Sequence, residues 1–176
     1  MSHPGQPRRS KRILVAGVGN RLRGDDGFGP RVIDLLSHRP LPDNVVLRDL
    51  GTAGLTVASD LGEYDLAIFL DVMKEGREPG TLYKREVRVK EIDAWEVKEL
   101  ASLSLHEAGL EGLLKLAKAL GTLPSRVLLI GCEPKSLEPG LDLSKEVEGA
   151  TVEAASLVLK ILGLDDERSP PRGKKR

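Results

Sequence analysis

Short unbroken apolar runs and segments of helical spacing take turns through this sequence. Residues 13–16 (ILVA) are too few for a buried helix and are bounded by Gly17 and Gly19, which predicts an interior strand of a parallel sheet. Phe28, Val32, Leu35 and Leu36 recur at helical spacing, with Pro30 tolerated in a first turn. Residues 44–50 (NVVLRDL) read as a second strand, and residues 52–61 have helical spacing with Thr52 as N-cap. Residues 65–72 (DLAIFLDV) are apolar almost throughout and predict a central strand. Residues 80–89 (GTLYKREVRV) alternate apolar and polar, as a half-exposed edge strand does. A helix over 106–120 ends at Gly121, and a buried strand over 126–130 stops at Gly131. A last amphipathic helix spans 145–164, its stripe including Val147, Val152, Ala155, Leu159 and Leu162. This order predicts a three-layer α/β/α sandwich, its twisted sheet mainly parallel with one antiparallel edge strand. Residues 13–164 form one α/β domain in this reading, between disordered basic tails at 1–12 and 165–176.

Composition narrows the class. With 176 residues and 40% hydrophobic content, the chain fits one domain with a sizeable core, and at 3% aromatic that core is aliphatic. No apolar run approaches the roughly 18 residues of a membrane span, and the first residues lack the apolar segment of a secretory signal. The single cysteine, Cys132, excludes an internal disulfide and suits the cytoplasm. A formal net charge of zero hides an uneven distribution. Arg8, Arg9, Lys11 and Arg12 at one end, and Arg168, Arg172, Lys174, Lys175 and Arg176 at the other, leave the central part acidic. An acidic body argues against a nucleic-acid surface on the domain.

The first strand-to-helix loop carries two adjacent carboxylates, Asp25 and Asp26, at the edge where open α/β sheets bind ligands. It is no dinucleotide fingerprint, because Leu22 stands where a third glycine belongs, although Asp49 is placed like a ribose-binding acid. No GK[ST] follows, and His106–Glu107 lacks the second histidine of a zinc protease, Leu110 occupying its place. Asp71 closes the third strand, His106 opens a helix, and Cys132 and Glu133 follow the strand at 126–130. In the predicted sheet these emerge near one edge. Two carboxylates and an imidazole suit a borderline divalent cation such as Zn²⁺, Ni²⁺ or Fe²⁺ with open positions for another ligand. Plainer roles exist for each: Asp25 as cap of the following helix, Asp26 as a turn residue and Asp71 as acceptor for strand-end amides. His106 suits an ordinary helix start, Cys132 reads as an inert buried thiol, and His3 and His38 as incidental.

The segments GVGNRLRGDDGFGPRV (17–32), FLDVMKEG (69–76), SLHEAGL (104–110) and LLIGCEPKSLEPGLDLSKEV (128–147) resemble the hydrogenase maturation endopeptidases. The likeness runs over about residues 13–162; the charged stretch 91–99 around Trp95 matches none of its motifs. The resemblance implies a protease that removes a short C-terminal extension from the nickel-loaded precursor of a nickel–iron hydrogenase large subunit. By motif position Asp26, Asp71 and His106 are its nickel-contacting, catalytic residues, and Gly19, Asn20 and Asp25 fall to substrate binding. It further implies that the nickel is carried by the precursor, with no tightly held metal in the enzyme, and that the enzyme is a monomer. Two other readings stay open: a nickel-delivery chaperone using the same ligands, and a nucleotide-binding module built on the glycine loop.

Overall fold

The computed structural model describes residues 10–52, 54–92 and 109–164. Five strands form one sheet: β1 (Ile13–Val18), β2 (Val45–Gly51), β3 (Leu66–Val72), β4 (Leu82–Val87) and β5 (Arg126–Cys132), in the order β2-β1-β3-β5-β4. The first four in that order run parallel, and β4 closes one edge antiparallel to β5. Helices α1 (Phe28–Ser37), α2 (Gly109–Leu120) and α3 (Lys145–Ile161) cover the two faces.

Alternation along the central strands decides which helix packs where. Val15, Ile68, Leu70, Leu128 and Ile130 face Phe28, Val32 and Leu36 of α1 and Val147, Ala154 and Val158 of α3. Leu14, Ala16, Ala67, Phe69 and Val127 point the other way, towards Leu113, Leu114 and Ala117 of α2. The inner strands are therefore buried on both faces, which is why they read as continuous apolar runs. The three-layer, mainly parallel architecture expected from the sequence is the one observed.

Three elements differ from expectation. Residues 52–61 do not form an α-helix: Gly54–Val57 and Ser59–Glu63 are two short 3-10 turns joined by Ala58, and Leu55, Ala58 and Leu61 still fill the α2 face. Gly54 and Gly62, with β-branched Thr56 and Val57, give this stretch weak α propensity. Strand β5 runs through Gly131 to Cys132, paired with Asp71 and Val72 of β3 and with Tyr83 and Leu82 of β4; the glycine leaves room for the Met73 side chain. In α3, Val152 is exposed; the buried stripe runs through Val147, Ala150, Thr151, Ala154, Val158 and Leu159, and the helix ends at Ile161. Helix α2 stops at Gly121 (φ +70°) as its sequence suggests, while residues 106–108, the chain's tails at 1–9 and 165–176, and Trp95 lie outside the described residues. No described helix is long and apolar enough to cross a membrane.

Candidate active site

The chain leaves β1 towards β2 and leaves β3 towards the opposite side of the sheet, so a crevice opens between the carboxyl ends of these two neighbours. Register pairs Gly17 with Leu70, bringing the residues just beyond them, Val18 and Asp71, to the same edge. Gly19 then turns the backbone out of the sheet at φ +132°, and a Cβ there would stand 1.9 Å from the Asp26 carbonyl oxygen. Only glycine fits this close approach.

That turn folds the loop back on itself. The Asn20 amide donates to Asp26 Oδ2 at 2.8 Å, and Asn20 Oδ1 accepts from the Leu22 amide at 2.9 Å. Arg21 braces the loop from outside. Its guanidinium grips Asp34 of α1 at 2.7 and 2.9 Å and Asp49 of β2 at 2.8 and 3.0 Å. Asp49, the acid placed for a ribose, is thus engaged by Arg21.

Asp26 and Asp71 both line one cavity of about 460 Å³, together with Gly19, Asn20, Arg23 and Leu110. Neither acid makes an ion pair among the described residues. Asp71 Oδ1 accepts from the Val72 amide at 2.8 Å. Burial, reinforced by the charge of Asp26, pushes the Asp71 carboxyl up to about 7 against the opposing pull of that amide. A second, more apolar cavity of about 700 Å³ shares Asp71, Gly109 and Leu110 with the first and is walled by Val87, Ile92 and Leu129. His106 lies outside the described residues; Gly109, where the description resumes, lines both cavities. Among the described residues no group of three or more His, Cys, Asp or Glu is placed to hold a metal ion.

Asp25 is 1% exposed and does not line the cavity, in contrast to its expected place in substrate binding. Nor does it cap α1, whose N-cap Gly27 has no side chain to bond. Its Oδ2 accepts from the amides of Lys135 (2.7 Å) and Ser136 (3.0 Å) and from the Ser144 hydroxyl (3.0 Å), and its Oδ1 accepts from the Ser144 amide (2.7 Å). Burial alone works to raise this carboxyl, but the four hydrogen bonds outweigh it and hold the group below the ordinary carboxylate value.

Glu133 received no role from its sequence position, and only its place after a buried strand hinted at one. It is 5% exposed and accepts from the Tyr83 hydroxyl (2.5 Å) and the amides of Glu75 (2.8 Å) and Gly76 (3.2 Å). It pins the loop that follows Asp71. Arg23 was likewise passed over, one more basic residue in an arginine-bearing loop, and it lines the cavity.

The sequence model of a family described as hydrogenase maturation protease matches residues 30–161. The chain belongs to the hydrogenase maturation proteases. The hydrogenase 2 maturation protease of Escherichia coli K12 is 34% identical over 163 residues, covering 92% of this chain and 96% of that protein. The hydrogenase expression/formation protein HupD of Rhizobium leguminosarum bv. viciae is 37% identical over 171 residues, covering 92% of this chain and 81% of HupD. Among solved structures, the hydrogenase 2 maturation peptidase of Thaumarchaeota archaeon SCGC_AB-539-E09 is 55% identical with a TM-score of 0.69, over 88% of this chain and all of the other. The maturating endopeptidase HybD of E. coli superimposes with a TM-score of 0.72 at 35% identity, over 86% of this chain and 92% of HybD. Membership in these proteases makes the chain a peptidase of hydrogenase maturation with an α/β fold shared across the family.

Proposed function

We propose that this protease removes a short C-terminal extension from the nickel-loaded precursor of a nickel–iron hydrogenase large subunit, reading the nickel through Asp26, Asp71 and His106. The observation that supports this most is that Asp26 and Asp71, two carboxylates that follow separate strands, line one open cavity and neither is held in an ion pair among the described residues. Burial above all, and the Asp26 charge after it, disfavour the ionised Asp71, and a divalent ion between the two acids would offset both. The ion is the precursor's cargo, held there by thiolates, and the enzyme adds ligands from its open side. His106 is the third ligand in this reading. Hydrolysis follows by one of two routes: the bound nickel polarises the scissile carbonyl, or one carboxylate takes the proton of the attacking water. The lone cysteine of the chain fits a reducing compartment, and we place a monomeric enzyme in the cytoplasm.

The decisive experiment mixes purified precursor, with and without nickel, with the enzyme and follows the released extension by mass spectrometry. Release is expected from the loaded precursor alone; equal cleavage of the nickel-free form overturns the reading. Asp26→Asn is expected to lower the cleavage rate by roughly a thousandfold while the protein stays folded. Tight nickel binding by the isolated chain, with no peptide released, would favour the delivery chaperone instead.

A further inference from the structure

Four large hydrophobic side chains are strongly exposed among the described residues: Leu22 (63%), Leu120 (53%), Leu141 (77%) and Val152 (59%). Single exposed leucines are ordinary. Leu22 and Leu141 are different, because the fold brings their distant segments together beside the cavity. The Gly140 amide donates to the Leu22 carbonyl at 2.9 Å, the Gly24 amide donates to the Gly140 carbonyl at 2.9 Å, and Arg23 pairs with Gly140 in a parallel bridge. The Asp25 amide adds a bond to the Ser136 carbonyl at 3.1 Å, and the buried Asp25 carboxylate anchors residues 135, 136 and 144. The two leucines therefore sit on a braced ridge, whose ordering upon contact costs little.

We infer that this ridge, with Leu22 and Leu141 as its apolar contacts, docks the folded body of the precursor protein; the inference rests on the protease reading above. The occupant follows from continuity with the cavity. Arg23, next to Leu22, lines the cavity together with Asp26, and Asn20 two residues earlier does the same. Any protein that places a group against Asp26 lies beside the ridge. Neither ridge leucine lines the cavity itself, and Arg23 is their link to it; Leu120 closes the end of α2 opposite Gly109 and Leu110, and no residue of α3, which carries Val152, lines either cavity. Docking of this kind lets a protease bind its substrate by surface far from the cut bond, so that affinity and chemistry respond to different substitutions.

The test uses the full chain and the nickel-loaded precursor, comparing the parent with Leu22→Ser/Leu141→Ser in direct binding and in cleavage across precursor concentrations. The double variant is expected to melt as the parent does, to bind the precursor about tenfold more weakly, and to show KM raised by a similar factor. Its kcat at saturating precursor is expected within about twofold of the parent. Unchanged binding and KM overturn the ridge, and so does a fall in kcat with KM unmoved. A parent enzyme that leaves loaded precursor uncut refutes the protease reading separately, whatever the leucines do to binding.

Discussion

In the folded chain, burial and the neighbouring Asp26 charge keep a proton on Asp71 up to about 7, whereas an unfolded aspartate releases it near 3.8. Between these values the folded form binds more protons than the unfolded one, so stability falls as pH rises. The contribution is complete below the unfolded value and gone above about 7. Asp71→Asn abolishes this titration. Its melting temperature relative to the parent is expected to climb between about pH 4 and pH 8, by roughly 3–8 °C. Parallel melting profiles across that range would show that Asp71 ionises freely. Stabilisation on removing Asp71 is the result expected if its carboxylate is kept for binding at some cost to the fold. Asp71 was legible in sequence because a carboxylate ending an apolar run has few cheap explanations. Asp25 was not, since its partners at 135, 136 and 144 leave no local mark and adjacent acids look alike in a string of letters.

Helix α1 meets the sheet through glycine. A Cβ on Gly29 would stand 2.3 Å from the Leu70 carbonyl oxygen and 2.5 Å from that of Val18, so even one methyl group forces the helix start away from β1 and β3. Gly29→Ala is expected to cost about 3 kcal/mol in urea unfolding and to reduce cleavage, because Asp26 lies in the turn leading into that helix. A variant as stable as the parent would mean that the helix shifts freely. The strands were read well from sequence because burial on both faces writes itself as unbroken apolar runs. The stretch at 52–61 was misread for the converse reason: 3-10 turns place apolar residues every third position, close enough to the α-helical period to pass for it over ten residues. Strand β5 was cut short because a glycine reads as a stop, whereas here it makes room for Met73 from a neighbouring loop.

The whole molecule is tied together by buried acids as well as by its core. Asp25 joins the loop after β1 to the loop after β5 and to the start of α3, while Glu133 joins the latter loop to the one after β3. All three loops border the carboxyl edge of the sheet, so the frame of the candidate site is a hydrogen-bonded series, with the loop after β5 joined to each of the others, rather than three independent turns. Asp25→Asn exchanges an acceptor-only group for one bearing donors and leaves buried amides unpaired, at an expected cost of about 3 kcal/mol at neutral pH in urea unfolding. Because its folded carboxyl titrates below the ordinary value, that loss is expected to shrink as pH falls below about 4. An unchanged midpoint at neutral pH would show that the Asp25 link is dispensable. The position of the candidate cavity followed from topology, since parallel strands deliver their following loops to one edge. The bracing around it comes from contacts between distant segments and is invisible to any reading by window.

Cys132 is fully buried on the α1–α3 side of the sheet, and burial, with Asp25 and Glu133 nearby, pushes its thiol up to about 12. An enzyme proposed to work beside thiolate-held nickel thus presents no competing thiolate of its own: the chain's one cysteine is buried and stays protonated, which disfavours both metal capture and disulfide exchange.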